Sequence, residues 1–214
     1  MRYIIDMDNW EIAMSVMVGV GLSAACGFRV FIPPLVLCIA GKAGHMTFGP
    51  EFAWMDSNFA LAAFALAASL EIGAYYIPWL DNALDSIAAP AVVVAGALTS
   101  ASVFGGDMSP WLKWSLAAIA GGGAAGAVQM TTTVARGASS ALTGGTGNWI
   151  VSTGEAVGAT IIAVLALVVP VLVFFGLVML AGYIVYRNPL KMLRQWHARN
   201  ETEEPDSEPN VMAV

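Results

Sequence analysis

The feature that most constrains this 214-residue chain is an apolar run, Ile12 to Gly41, too long for one membrane-crossing helix and too short for two. A bilayer core takes about 20 apolar residues per helix. Inside the run stands "CGFRVFIPP", Cys26 to Pro34. Gly27, Arg29 and the pair Pro33-Pro34 cannot continue a plain helix, because proline lacks an N–H and clashes with the carbonyl one turn back. The run therefore predicts two short or broken helices meeting near Arg29.

Further apolar segments follow at Asn58 to Leu80, Ile87 to Gly105 and Trp111 to about Ala135. A Gly/Ser/Thr-rich connection, "RGASSALTGGTGN", leads to a last stretch, Trp149 to Tyr186, again too long for one span, with Pro170 as its kink. The chain is 58% hydrophobic and only 11% charged, where a soluble domain carries about 25% charged residues. Together these features predict an all-α integral membrane protein of about five to six membrane helices, some broken or re-entrant. They form a single polytopic domain over residues 1–199. The seven tryptophans fall at segment edges, the headgroup level that suits an indole.

The ends of the chain bear on orientation. Arg187, Lys191, Arg194 and Arg199 follow the last span, and no other flank is as basic, so the C-terminus is expected in the cytoplasm. Residues 200–214 form an acidic, proline-containing tail expected to be disordered. Before the first span, three acids stand against one arginine, the reverse of a signal peptide, so that segment is expected in the mature protein.

Few residues could carry chemistry. Glu71 falls in mid-span, where an acid costs at least about 2.5 kcal/mol and needs a partner or a polar cavity. Arg29 and Arg136 are the arginines of the apolar body, so Glu71 or Glu155 paired with either is the economical arrangement. Such a cluster serves either an ion, proton or substrate pathway or a structural clasp between helices. Asp81 and Asp85, four residues apart after Pro78 and Trp79, read as a solvated helix end or a cation-attracting mouth. Ser152 to Glu155 fits a capping box, which would start a helix at Ser152. Gly122 and Gly126 permit close helix approach, and the hydroxyls of Thr131 to Thr133 suit packing. Cys26 and Cys38 read as buried thiols. His45 and His197 are far apart. No metal set, nucleophile–base pair, cofactor motif or basic patch for nucleic acid is visible, so neither a cofactor nor an enzymatic activity is expected.

The halves echo each other weakly. "GLSAACGFR" parallels "GGGAAGAVQ", and "SLEIGA" around Glu71 parallels "STGEAVGA" around Glu155. An inverted repeat of this kind places polar sites at discontinuous helices near the midplane.

The runs "GLSAACGFRVFIPPL", "LEIGAYYIPWLDNALD" and "NWIVSTGEAVG" resemble a family of small bacterial membrane proteins, domain of unknown function 4126. The resemblance covers roughly Val16 to Pro170, with matches at Gly21, Gly27, Arg29, Pro33, Glu71, Pro78, Asp81, Asp85, Arg136, Ser152 and Glu155. It implies a polytopic protein of the bacterial inner membrane. The chain departs where the family tends to carry further charges, at Tyr75 and Tyr76, at Ala156 and at Thr131 to Thr133. The expected function is a small transporter or channel-like protein. Arg29, Glu71, Arg136 and Glu155 would form its polar site, with Asp81 and Asp85 at a mouth. The alternative is a non-catalytic accessory or structural subunit of a larger membrane complex, respiratory, photosynthetic or similar. The lost family charges and the many apolar and aromatic residues favour that alternative. The expected partners are the lipid bilayer and either further copies of the chain or such an assembly.

Overall fold

The computed structural model describes residues 3–74, 78–104 and 108–186, with side chains described for residues 10–74, 89–104, 108–183 and 186. Among them no strand occurs. The helices are α1 (Tyr3–Cys26), α2 (Ile32–Lys42), α3 (Asn58–Ala74), α4 (Pro78–Val103), α5 (Pro110–Leu116), α6 (Gly123–Thr143), α7 (Asn148–Val168) and α8 (Pro170–Tyr186). A 3-10 segment, Pro50–Asp56, precedes α3, and a π-helical segment, Ala117–Gly122, joins α5 to α6. The chain divides into two units, Met1–Phe174 and Phe175–Val214. The first carries α1 to α7 and the start of α8. In the second, the described residues are the rest of α8, an apolar helix with exposed Phe175, Met179 and Tyr183.

Prolines and glycines set the boundaries. The expected break near Arg29 is present, with α1 ending at Cys26 and Pro33 opening α2. Pro170 likewise separates α7 from α8. Among the described residues two expectations, the span at Ile87 and the connection after Arg136, are corrected. The span expected from Asn58 is described as α3 up to Ala74, and α4 is described from Pro78. Residues 75–77, with Tyr75 and Tyr76, lie outside the described ones. The span expected from Ile87 to Gly105 is the second part of α4. The glycine- and hydroxyl-rich connection is mostly helix, because α6 runs on to Thr143 and turns only at Gly144 and Gly145, whose positive φ of 63° and 87° suits glycine.

Three elements lie side by side in the centre. From Pro110 to Thr143 the chain forms one rod of about 50 Å at 1.5 Å per residue. Antiparallel to it, α4 spans about 40 Å. Close approach of their backbones depends on small residues. A Cβ on Gly96 would lie 2.5 Å from the Ala125 methyl and 3.1 Å from the Gly121 carbonyl oxygen. Helix α1 joins them through hydroxyls. Ser23 Oγ lies 2.6 Å from both the Gly96 carbonyl and Ser100 Oγ, and Ser100 donates to the Gly19 carbonyl at 3.0 Å. Cys26 packs with Val92 and Ala125, near the midpoint of both long helices. So α1 ends halfway along its neighbours.

The chain then doubles back. Ile32 of α2 packs on Ala68 of α3 and Ala159 of α7. The loop after α2 returns to the end where α5 starts, and Lys113 bonds Glu51 at 2.9 Å with its ammonium 5.1 Å from the Phe52 ring centre. From that end α3 climbs again to the level of the break. By length and apolarity α7 qualifies as a membrane-crossing helix, and Pro50–Asp56 with α3 would qualify as a pair bent by 70°.

Gly96→Ala should destabilise the protein by about 1–3 kcal/mol, because a methyl meets another methyl that cannot move aside. Gly154→Ala, with open space around its Cβ, should instead gain up to about 1 kcal/mol from helix propensity. Thermal unfolding of the two variants in one detergent checks the contrast.

Candidate functional site

The break between α1 and α2 begins where Gly27 passes the rod. A Cβ there would stand 2.5 Å from both the Ala125 carbonyl oxygen and the Val128 side chain, so only glycine fits without a shift. Gly27 N–H still bonds back to Ser23 and Ala24, and Arg29 N–H bonds to Ala25. This short tether sends the Arg29 side chain inward, where it is 1% exposed.

Arg29 reaches α7. Its Nη2 donates to the Ser152 carbonyl at 2.8 Å and to the Ser152 hydroxyl, and lies 3.4 Å from Glu155 Oε2. Arg136 approaches the same carboxylate from α6. Its Nε donates to Glu155 Oε1 at 2.9 Å and its Nη2 donates to Oε2, a two-pronged pairing that the planar guanidinium favours. Glu155, Arg136 and Ser152 are all buried. One carboxylate thus ties two guanidiniums, and with them α1, α6 and α7.

Glu71 does something else. Half-buried near the end of α3, it accepts from the Val30 N–H through Oε1 at 2.9 Å and from the Phe31 N–H through Oε2 at 3.1 Å. These donors belong to the break just before α2, whose Ncap residue Phe31 offers no side-chain oxygen. A carboxylate from another helix satisfies groups that a Ser or Asp cap would otherwise serve. The charges of Arg29 and Arg136 also act on it.

The structure therefore brings together four of the six residues singled out from sequence. Arg29, Arg136 and Glu155 form the ionic core, and Glu71 holds the break beside it. The economical pairing holds for Glu155 with both arginines, while Glu71 binds main chain. Asp81 and Asp85 lie on the helical backbone of α4, and their side chains are outside the described ones. The capping box is corrected. Helix α7 starts at Asn148, so Ser152 and Glu155 sit one and two turns inside it. Three residues apart, they share the face turned to Arg29 and Arg136. Sequence reasoning missed Ser152 as the acceptor for Arg29, and the buried Gln129 and Thr132. The signal was present: Ala125, Gln129, Thr132 and Arg136 recur at helical spacing, with polarity on the buried side. Among the described residues no group of three His, Cys, Asp or Glu side chains converges.

Glu155→Gln removes the charge that both arginines share. Breaking a buried ion pair by deleting one partner costs about 3–5 kcal/mol, so this variant should unfold well below the parent on heating. Ser152→Ala keeps the main-chain acceptor and should cost about 1–2 kcal/mol. Equal midpoints for the two variants would contradict the arrangement.

Residues 16–188 match a family described as a domain of unknown function, DUF4126. No curated protein and no solved structure matches the chain.

Proposed function

The chain belongs to the DUF4126 family, and from that premise we propose that it is an integral membrane protein, a small transporter or channel-like protein of the bacterial inner membrane. Its working part is the Arg29–Glu155–Arg136 centre at the broken helix. The observation that carries the reading is an inversion of burial. Arg29, Arg136, Glu155, Gln129, Thr132, Thr99 and Ser100 are inside, while Phe59, Leu66, Val94, Ile119, Val134 and Ile161 are exposed. In water such an exterior would be an oversized apolar patch. In lipid it is the solvent-facing side, and charges turn inward.

Helix α7 displays the inversion on one element. Its buried face is Ser152, Glu155, Ala159, Ala163 and Ala166, and its exposed face includes Val157, Ile161, Val164 and Val168. Trp54, Trp111 and Trp149, all exposed, stand at or beside helix starts and supply the interfacial belt. On this reading α1 and α2 form a re-entrant pair that enters, turns at mid-depth and leaves by the same side. The remaining spans are α3, α4, the rod from α5 to α6, α7 and α8, with the C-terminus in the cytoplasm. A polar centre at a discontinuous helix, near the midpoint of its neighbours, is the arrangement that transporters use. The two echoing glycine-rich segments lie against each other there, Gly27 on Ala125 and Val128, but both run antiparallel to α4 and therefore in the same direction, whereas the halves of an inverted repeat run in opposite directions. Glu71 supplies the gating chemistry. When ionised it accepts both N–H groups of the break, and when protonated it becomes a weaker acceptor and itself a donor.

A second reading has its own observation. Thr131, Gly137, Thr153 and Gly154 are exposed on α6 and α7, and small or hydroxyl-bearing residues favour helix contact over lipid. They suit further copies of the chain or a larger membrane assembly, in which the protein is a non-catalytic accessory subunit. Recovery as a stoichiometric component of such an assembly after mild solubilisation would decide for it.

For the leading reading, purified protein in liposomes should carry a proton or small-ion flux, measured with enclosed indicator dyes. Glu71→Gln keeps one acceptor oxygen but removes the charge, and should slow that flux at least tenfold. Wild-type vesicles as tight as empty ones to every ion tried would refute transport.

A further inference from the structure

The helices of the first unit are not held equally. α1 is tied to α4 through Ser23 and Ser100 and to α7 through Arg29. α6 is tied to α7 by Arg136 on Glu155 and by Asn148, which donates to Ser140 at 2.9 Å. α4 meets the rod through the close approach at Gly96 and Gly121. Helix α3 has none of these holds. Of its 17 residues only Ala60 and Ala68 are buried. Ala68 and Ile72 join an apolar cluster with Ile32 and Leu35 of α2 and Ala159 of α7. Among the described residues, the side-chain hydrogen bonds that fix α3 to another part of the fold are the two of Glu71, to the Val30 and Phe31 N–H groups.

In lipid the surrounding tails are as apolar as such a cluster, so packing alone gives little reason for a helix to stay. The carboxylate therefore decides the position of the far end of α3. Both of its oxygens accept, and bonds to an ionised acceptor are about twice as strong as neutral ones. A protonated carboxyl loses the charge and turns one oxygen into a donor, which cannot serve two N–H groups equally.

The near end of α3 is anchored. Glu51 bonds Lys113, Phe52 and Met55 are buried, and the Trp54 ring lies 6.0 Å from that of Phe64. Ser57 alone separates this 3-10 segment from α3, in extended backbone at φ −77° and ψ 152°, and the axis bends by 70° there. A single residue at an element boundary is where dihedral angles can change without unwinding either neighbour. Residues 75–77 link the far end of α3 to α4, and three extended residues reach about 10 Å, which bounds its travel.

We infer that α3 is a movable arm, hinged at Ser57 and latched to the broken helix by the Glu71 carboxylate, and that protonation of Glu71 lets its far end swing away from the break. The inference rests on the membrane reading above and deepens it, because it names the element that Glu71 moves. The charged and titratable groups that bear on the latch, among the described residues, are Arg29 in the break, Arg136 on α6 and the Cys26 thiol of α1. Glu155 on α7 is bound to the same arginines. Lys42 of α2 and Asp56 beside the hinge stand at the other end of the arm. Since the ionised form is the latched one, the arm is shut at high pH and open at low pH.

Spin labels on the full-length protein in liposomes test this by distance. Cys26 and Cys38 are wholly buried and give the unlabelled baseline. The exposed positions Leu70→Cys on α3 and Val157→Cys on α7 report the arm. Val134→Cys with Val157→Cys reports the α6–α7 pair. Acidification should lengthen the first distance by several ångströms and leave the second unchanged. Glu71→Ala, which has no acceptor, should give the long first distance at every pH with the second again unchanged. A first distance that is the same in acid and in base would overturn the arm, and this comparison needs no substitution at Glu71. A Glu71→Ala protein that still opens only in acid would overturn the latch. Distances are read without any flux. An arm that opens in vesicles that carry no ion would reject the transport reading and leave this one standing, and an arm that stays shut in vesicles that do carry one would do the reverse.

Discussion

A guanidinium excluded from solvent has to be neutralised within arm's reach, and the rest of the bundle is arranged around that requirement at Arg29. Its burial is imposed by the chain break that carries it, because α1 stops against the rod where only glycine fits. The charge is met by α7, through the Ser152 carbonyl and hydroxyl and through Glu155. Glu155 would be overdrawn by one helix alone, yet it also takes the two-pronged grip of Arg136 from α6. Three elements are thereby fixed by one carboxylate. The geometry is demanding, since deleting Glu155 leaves two buried guanidiniums without their shared carboxylate, and buried ion pairs lose more from a missing partner than they gain from being complete. Such a centre is an expensive way to hold helices together, and that cost is the physical ground for proposing a working role for it.

The break creates a second requirement that Glu71 meets. Interrupting a helix exposes main-chain donors, and in an apolar setting each unsatisfied one costs several kcal/mol, by order of magnitude. Val30 and Phe31 have no capping side chain of their own, so the acceptor comes from α3. The two acids that look alike in sequence, each set among small residues, therefore do different work. Glu155 balances cations, and Glu71 completes a backbone. Because Glu71 is only half-buried, its bonds can be exchanged where those of Glu155 cannot.

Much of this was legible in the residues, and the losses have physical causes. The break could be read because Gly27 and Pro33-Pro34 act locally, through sterics and a missing donor. Pro170 could be read for the same reason. The glycine- and serine-rich segment after Arg136 misleads because its composition belongs to loops, whereas its hydroxyls bond back to carbonyls one turn earlier and let the helix continue, as Thr143 does to Ser139. The capping box misleads because the turn that starts α7 is set upstream, by Gly144 and Gly145 in the left-handed region. That Arg29, Arg136 and Glu155 would share a centre followed from charge economy. Which glutamate takes which arginine did not, because the choice depends on helix register across the bundle.

Register also explains the π-helical segment. From Ala117 to Arg136 the rod keeps one face buried, through Gly121, Ala125, Gln129 and Thr132. At 3.6 residues per turn that interval covers about five and a quarter turns, enough to rotate Arg136 roughly a quarter turn away from the face of Ala117. A π segment takes up about one extra residue, and the interval then closes on about five whole turns. The small residues that let Gly121 lie on Gly96 and Ser100 and the arginine that meets Glu155 consequently fall on a single line. Regular α6 already aligns Ala125, on the tight seam with α4, with Arg136 three turns later, and the π turn extends that same line back to Ala117.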